Sequence, residues 1–141
     1  MSLNEEEIYQ EHILDHYEDP YHRGHIEHPT HHHQDDNPLC GDVVVVTLAV
    51  DGDTIKEVKF DGEGCAISTA SADLMADAIQ GKTIEEAREL FREFHACVTG
   101  DASSEGLGKL AVFEGVREFP LRVKCVTLVW HTLIAAFDDG N

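Results

Sequence analysis

Positively charged residues are scarce in this sequence, which has 10 Lys and Arg against 28 Asp and Glu and a formal net charge of −18. Proteins that bind DNA or RNA present basic surfaces to the phosphates, so the composition argues against a nucleic-acid partner. The acidic balance suits a basic protein partner or surroundings of high salt. It is equally the balance of an ordinary solvated surface.

Long apolar runs are also missing. No stretch approaches the roughly 20 apolar residues that a membrane-spanning helix needs, so no membrane partner is expected. The N-terminal MSLNEEEIYQ has neither the basic flank nor the apolar segment of a signal peptide. We therefore expect a cytoplasmic protein. At 141 residues, residues 1–141 are predicted to form a single domain.

Apolar periodicity and turn residues predict one hairpin and several helices. VVVVTLAV at residues 43–50 is typical of a buried strand, and a return strand is expected over residues 54–61 after the turn Asp51-Gly52-Asp53. Residues 19–41 are predicted to be a loop, and residues 98–119 to be irregular with room for one short helix. Helices are predicted over residues 5–18, 68–80, 83–95 and 121–137.

Two of these helices carry specific signals. Thr83 and Glu86 have the spacing of a capping box, which marks the start of the third helix. The last helix has an apolar stripe at helical spacing, and this stripe is expected to face the core. Its members are Leu121, Cys125, Leu128, Val129, Thr132, Leu133, Ala136 and Phe137.

The chain has four cysteines and no Cys-x-x-Cys pair. In a reducing compartment, metal binding or thiol chemistry is a better explanation for them than disulfides. Cys40 and Asp42 flank a glycine in NPLCGD, and residues i and i+2 of an extended chain point the same way. Both side chains could therefore meet one metal ion.

The other two thiols of interest precede or begin helices. Cys65 follows a glycine-rich loop just before a helix, and Cys125 lies in the first turns of the last helix, next to Lys124. A helix N-terminus and a neighbouring ammonium group both favour thiolate. Thiolates suit zinc, copper(I) and iron–sulfur clusters, and three cysteines with one aspartate form a plausible tetrahedral set. Spacing alone leaves open that these cysteines are small buried hydrophobic residues.

Three segments resemble the cysteine motifs of the SufU branch of the IscU/NifU family, whose members serve iron–sulfur cluster biogenesis. They are NPLCGD, GEGCAISTASADLM at 62–75 and LRVKCVTLVWHTL at 121–133, and the similarity extends over nearly the whole chain. The resemblance implies an α+β fold, with a small antiparallel sheet packed against helices and the site at one end. It also implies that the ligands of a metal ion or cluster are Cys40, Asp42, Cys65 and Cys125.

Two features favour the SufU branch within this family. IscU-type members carry a histidine immediately before the last cysteine, whereas this chain has Lys124, whose protonated ammonium cannot act as a ligand. The separation of Cys65 and Cys125 (125 − 65 = 60 positions) is also longer than in IscU-type members. The excess is expected near residues 98–119.

The resemblance implies a SufS-type cysteine desulfurase as sulfur donor and downstream proteins as acceptors of sulfur or cluster. Three roles stay open at this point. The chain could be a scaffold or sulfur carrier that holds an iron–sulfur cluster transiently, or a zinc-dependent sulfurtransferase in which Cys40 accepts the sulfur. A structural zinc module is the third role, and it is disfavoured because the apolar pattern suffices for folding without metal.

Cys97 and a run of histidines match no motif of the family. Cys97 is predicted to be a core residue at a helix end. Histidines recur at every third position from His22 to His31 and continue through His33. In an extended polyproline-like segment they would align and could hold a metal ion, but a solvated polar loop is the preferred explanation.

Overall fold

The computed structural model describes residue 13 and residues 15–37, 41–103 and 105–139. In these residues three strands form one antiparallel sheet in the order β1-β2-β3. The strands are β1 (His31–Asn37), β2 (Asp42–Asp51) and β3 (Thr54–Glu63). The helices are α1 (Ala66–Ile79), α2 (Ile84–Val98) and α3 (Pro120–Asp139), with a 3-10 helix at Gly108–Glu118 between the last two.

The predicted hairpin of β2 and β3 and the α+β fold are confirmed. Alternate residues of both strands face the helices and are buried, among them Val46 and Leu48 on β2 and Val58 and Phe60 on β3. Helices α1 and α3 pack on this face of the sheet. The β-branched run and the turn after it therefore located both strands.

The predicted loop over residues 19–41 is wrong in its second half, because His31–Asn37 forms strand β1. The segment HHHQDDN has few residues that favour strands. It becomes a strand because its backbone pairs with β2, with His31 opposite Leu48 and Asn37 opposite Asp42. Thr132 of α3 also donates a hydrogen bond to the Asp35 carboxylate (3.0 Å). Tertiary pairing overrides local propensity here.

Residues 22–30 cross the face of the sheet that points away from the helices. At the β3 edge, the Gly24 N–H donates to the Phe60 carbonyl (2.8 Å). Further along, the Ile26 N–H donates to the Thr47 hydroxyl (3.1 Å). Because side chains alternate along a strand, Thr47 points away from the helix-facing side. This crossing segment therefore covers part of the sheet's outer face.

The histidine run does not gather into one cluster. His22 Nε2 lies 3.5 Å from Asp77 on α1, and His25 Nε2 lies 3.1 Å from Asp61 on β3. The residues 31–33 belong to β1. None of the described histidines belongs to a group of three or more metal-ligating side chains. The alternative of an aligned polyproline-like segment is therefore not found among the described residues, because these histidines divide between the crossing segment and a strand.

The predicted N-terminal helix is described only at its end, where residues 15–18 are helical. Asn4 and Glu7 have the spacing of an N-cap and its partner in the first turn, and both lie outside the described residues. His16 is buried and its Nδ1 lies 2.5 Å from the carboxylate of Asp73 on α1. The same carboxylate accepts from the His22 N–H (2.9 Å). This buried aspartate therefore anchors the N-terminal part of the chain to α1.

The capping box at the start of α2 is confirmed. The Glu86 N–H donates to the Thr83 hydroxyl (3.1 Å), and the Thr83 N–H donates to the Glu86 carboxylate (3.0 Å). This backbone hydrogen bond from Thr83 lowers the pKa of Glu86. α2 runs three residues past the expected end at His95 and includes Cys97, which is fully buried as predicted. Burial raises the pKa of the Cys97 thiol.

The segment between α2 and α3 contains the one short helix that the sequence allowed for. The 3-10 helix Gly108–Glu118 packs Leu110, Phe113 and Val116 into the core. Arg117 at its end donates to the carbonyls of Cys97 (2.7 Å) and Ala102 (2.8 Å). The guanidinium group thus fastens the end of α2 to the turn that follows it.

Helix α3 covers the predicted range with one error in its core stripe. Leu121 is 65% exposed because the first turn of α3 extends beyond the core. Val126 and Trp130 are fully buried although they lie off the stripe, since α3 packs against the sheet, α1 and α2. By length and composition α3 could cross a membrane, with a mean hydropathy of 1.2. Core helices share these properties, and 44% of this window is buried inside the protein.

Candidate metal centre

Three of the predicted site residues meet at one end of the sheet. A carboxylate oxygen of Asp42 and the sulfur atoms of Cys65 and Cys125 all lie within 4.8 Å of one another. Asp42 is the first residue of β2, Cys65 is the N-cap of α1, and Cys125 is the sixth residue of α3. Each side chain therefore comes from a different element of the fold.

The strand register brings the first two residues together. Val43 of β2 pairs with Glu63 of β3, so the start of β2 lies beside the end of β3. Asp42 directly precedes this pair, and Cys65 follows it by two residues. The third residue arrives through helix packing, because the Ser71 hydroxyl of α1 donates to the Val126 carbonyl of α3 (2.6 Å). That bond holds α3 against α1 one residue after Cys125.

Two glycines allow the chain segments to approach each other at this end. Gly62 has φ +132°, and a Cβ there would lie 2.0 Å from the Val43 carbonyl oxygen. A Cβ on Gly64 would lie 2.3 Å from the Ser68 hydroxyl and 3.3 Å from the Asp42 carboxyl carbon. Real Cβ atoms do not come this close to a backbone atom, as Gly62 would require, and a Cβ on Gly64 would force the Ser68 side chain to move. The absence of side chains at both positions therefore lets Asp42 lie against the turn that carries Cys65.

The two thiols have different surroundings. Cys65 is exposed, and its sulfur accepts a hydrogen bond from the Ser68 N–H (3.4 Å) as the cap of α1. A helix N-terminus favours the thiolate over the thiol. Cys125 is 8% exposed and lies in the second turn of α3. The effect of the helix N-terminus is weaker there, and the exposed Lys124 is its neighbour in sequence.

The Asp42 carboxylate fits a role as a metal ligand. Asp42 is 5% exposed, and its Oδ2 is buried with no hydrogen-bond partner in the described part of the chain. A buried carboxylate oxygen without a partner destabilises a protein unless a cation or donor satisfies it. Two sulfur atoms and this oxygen are a donor set that zinc or iron accepts. The residues present therefore fit such a metal ion.

The fourth predicted ligand, Cys40, lies outside the described residues. The structure thus places Asp42, Cys65 and Cys125 together and leaves Cys40 as a prediction from the sequence. Cys97, which was predicted to stay apart, lies in the core at the end of α2 and is not part of the group.

One residue of the site had no signal in the sequence. Arg23 of the crossing segment lines a small cavity of about 20 Å³ together with Asp42 and Cys125. Its Nη2 donates to the Gly62 carbonyl (2.7 Å), and its Nε lies 3.3 Å from the Asp61 carboxylate. Arg23 and these two residues are distant in the sequence, and Arg23 belongs to no recognised motif. The sequence therefore contains no sign of the contact.

The charge of Asp42 should destabilise the metal-free protein. Replacing Asp42 by asparagine removes a buried charge whose Oδ2 has no partner. We expect the free energy of unfolding in the presence of a chelator to rise by about 1 kcal/mol. The same substitution should weaken zinc binding, so its effects on stability and affinity have opposite signs. Denaturant titration of the chelated proteins measures the first effect, and a lower stability of Asp42→Asn would contradict the prediction.

Comparison with known proteins gives consistent matches. Residues 8–126 match the family model of the NifU-like N terminal domain. The zinc-dependent sulfurtransferase SufU of Bacillus subtilis is 38% identical over 99% of this chain and 98% of its own length. The iron–sulfur cluster assembly scaffold protein IscU of Streptococcus pyogenes is 40% identical over 89% of this chain and 80% of its own length.

A solved structure agrees with these matches. The crystal structure of FiSufU from Fervidobacterium islandicum, described as a candidate iron–sulfur cluster assembly scaffold for the SUF system, superposes with a TM-score of 0.86. It is 38% identical in sequence, and the match covers 94% of this chain and 98% of that chain. The sequence comparison and the structural comparison thus match this chain to the same group, the SufU- and IscU-type proteins.

Proposed function

Because the chain belongs to the NifU-like N-terminal domain family, we propose that it serves iron–sulfur cluster biogenesis as an acceptor of sulfur from a cysteine desulfurase. The convergence of Asp42, Cys65 and Cys125 within 4.8 Å carries this proposal. The site is completed by Cys40, which precedes Asp42 by two residues. The full ligand set is then Cys40, Asp42, Cys65 and Cys125.

Zinc is the metal that we assign to this site. The relative that matches this chain end to end is called a zinc-dependent sulfurtransferase. IscU-type members carry a histidine immediately before the last cysteine, whereas this chain has Lys124, which cannot act as a ligand while it is protonated. This difference favours the SufU-type, zinc-dependent role. Zinc, when bound, keeps its cysteine ligands as thiolates and protects them from oxidation.

Cys40 is the thiol that we assign to sulfur transfer. Cys65 is tied down as the N-cap of α1, and Cys125 is buried on α3. Cys40 instead belongs to the short connection between β1 and β2. Its thiolate attacks the outer sulfur of the persulfide on the donor, and the donor cysteine leaves as a thiolate. The outer sulfur and its proton are then carried on Cys40 as a persulfide, so the exchange needs no external oxidant or reductant.

A SufS-type desulfurase is the donor in this proposal, and the next protein of the pathway takes the sulfur from Cys40. A second role is favoured by the IscU relatives, which are called cluster assembly scaffolds. The same donor set could hold iron, with Asp42 as the hardest and most exchangeable ligand. The two roles differ in what must be bound for activity, which makes them separable by experiment.

The test measures alanine formation from cysteine by a SufS-type desulfurase. The zinc-loaded protein, with no iron present, should raise the turnover rate at least about 10-fold, because it removes the persulfide after each cycle. Cys40→Ser should abolish this stimulation. Lys124→Ala should weaken it less, since the ammonium group only supports thiolate character at its neighbour.

Cys97→Ala serves as the matched control, because it also removes one thiol but lies outside the group. Full stimulation by Cys40→Ser would refute the choice of thiol. If the zinc form gives no stimulation, while iron and sulfide yield a cluster that passes to an acceptor protein, the sulfurtransferase role is excluded. The scaffold role would then stand.

A further inference from the structure

Arg23 is the cation of the crossing segment that reaches the candidate site. Its side chain is 45% exposed and lines the cavity shared by Asp42 and Cys125. The backbone on either side is held independently of this side chain. The Gly24 N–H donates to the Phe60 carbonyl (2.8 Å), and the Phe60 N–H donates to the His22 carbonyl (3.0 Å). The chain therefore delivers this guanidinium group to the site from a fixed position.

The guanidinium group holds the end of β3, which leads to one of the thiols. Nη2 donates to the Gly62 carbonyl at 2.7 Å, and Nε lies 3.3 Å from Asp61, whose own carboxylate also accepts from the Gly62 N–H (2.8 Å). The hydrogen bond from the Gly62 N–H, with a smaller contribution from Arg23, lowers the pKa of Asp61, so this carboxylate stays ionised. This end of β3 lies just before Gly64 and Cys65, where Asp42 packs against the backbone.

The charge of the proposed centre makes a neighbouring cation favourable. Three thiolates and a carboxylate carry more negative charge than one zinc ion neutralises, and the chain as a whole has a net charge of −18. Arg23 lines the cavity on which both Asp42 and Cys125 border. A cation beside a partly buried anionic centre stabilises that centre more than it would stabilise a fully solvated one at the same distance.

We propose that Arg23 is a positioning residue of the metal centre, where it clamps the end of β3 before Cys65 and offsets the negative charge of the ligand set. This inference rests on the proposed zinc site. Residues that orient or neutralise ligands from outside the coordination sphere typically change metal affinity by about 10- to 100-fold. Arg23 belongs to this class because its contacts are with Asp61 and Gly62, next to the ligands.

The first arm of the test compares zinc affinities of the full chain by competition with a chromophoric chelator. Arg23→Gln should weaken zinc binding about 10-fold. Lys56→Gln is the matched control, because it removes an exposed cation from the same strand that carries Asp61, about 17 Å away along β3. Zinc affinity in this variant should stay within about 2-fold of the parent chain.

The second arm separates charge from a purely structural effect. Arg23→Lys keeps the positive charge and should recover most of the lost affinity. Raising the ionic strength from about 0.1 M to 1 M shortens the Debye length from about 10 Å to 3 Å. The affinity ratio between the parent and Arg23→Gln should therefore shrink in high salt. The thermal unfolding midpoint of the chelated Arg23→Gln protein should fall by only about 2–4 °C, because the backbone contacts of the crossing segment remain.

Each outcome decides a different question. Zinc binding by Arg23→Gln as tight as by the parent would overturn the role of Arg23 and leave the zinc site in place. An affinity loss that Arg23→Lys does not recover, and that salt does not change, would overturn the charge role of Arg23 and leave only its clamp on the end of β3. Failure of the parent chain itself to bind zinc would overturn the proposed site, and this inference with it.

Discussion

Replacing either Cys65 or Cys125 by serine is expected to lower the zinc affinity by at least about 100-fold. Structural zinc sites contribute roughly 10–16 kcal/mol shared over four ligands, so one sulfur ligand is worth about 3 kcal/mol, or about two powers of ten. Both sulfur atoms lie within 4.8 Å of each other and of the Asp42 carboxylate. The same loss is expected for Cys40→Ser, whose role rests on the sequence motif.

Bound zinc after dialysis against a mild chelator measures these losses directly. Cys97→Ala is the control, because this thiol is buried in the core and outside the group. It should lower the stability of the fold while leaving the zinc affinity within about 2-fold of the parent. A variant of Cys65 or Cys125 that retains zinc as tightly as the parent would remove that residue from the site.

Gly62→Ala should destabilise the protein by about 3 kcal/mol or more. The new Cβ would lie 2.0 Å from the Val43 carbonyl oxygen and 2.8 Å from the carbonyl carbon, both of them backbone atoms that cannot turn aside. The residue also has φ +132°, a backbone conformation that residues other than glycine rarely adopt. Strain at such a position and overpacking each cost about 1–3 kcal/mol, and here they act together.

Gly52→Ala separates the cost of a positive φ from the cost of steric overlap. Gly52 also has a positive φ (+66°), but a Cβ there would meet nothing within 4 Å. Its cost should be about 1 kcal/mol, which is the backbone penalty alone. Denaturant unfolding of both variants gives the comparison. Equal losses would mean that the close approach of Gly62 to β2 does not limit stability.

Local patterns in the sequence were sufficient for the parts of the fold that depend on neighbouring residues. The valine-rich run and the turn at Gly52 predicted the hairpin because side-chain alternation and turn chemistry act within a few residues. The capping box at Thr83 and the buried helix-end Cys97 followed from equally local signals. For the site, the motifs indicated Asp42, Cys65 and Cys125 as members of one group, and the structure brings these three side chains together.

The parts that the sequence did not reveal depend on contacts between distant segments. Strand β1 is built from histidine, glutamine, aspartate and asparagine, and it exists because β2 offers its edge for pairing. Leu121 has the right spacing for the core stripe, but α3 begins beyond the core, which no periodicity can show. Arg23 contacts Asp61 and Gly62 from the crossing segment, which lies along the edge of β3 that does not pair with β2. Such a contact leaves no pattern along the chain.

The three side chains of the site come from different elements of the fold, so the ribosome adds them to the chain at different times. Asp42 and Cys65 are joined by one hairpin and lie 65 − 42 = 23 positions apart, whereas Cys125 follows 125 − 65 = 60 positions later. At about 5–20 residues per second, the ribosome adds those residues in about 3–12 s. Throughout that interval the nascent chain can offer a metal ion only the ligands carried by the hairpin. Tight binding of the proposed zinc ion would have to wait until α3 has left the ribosome and packed against the sheet, which would make metal loading a late step in the maturation of the chain.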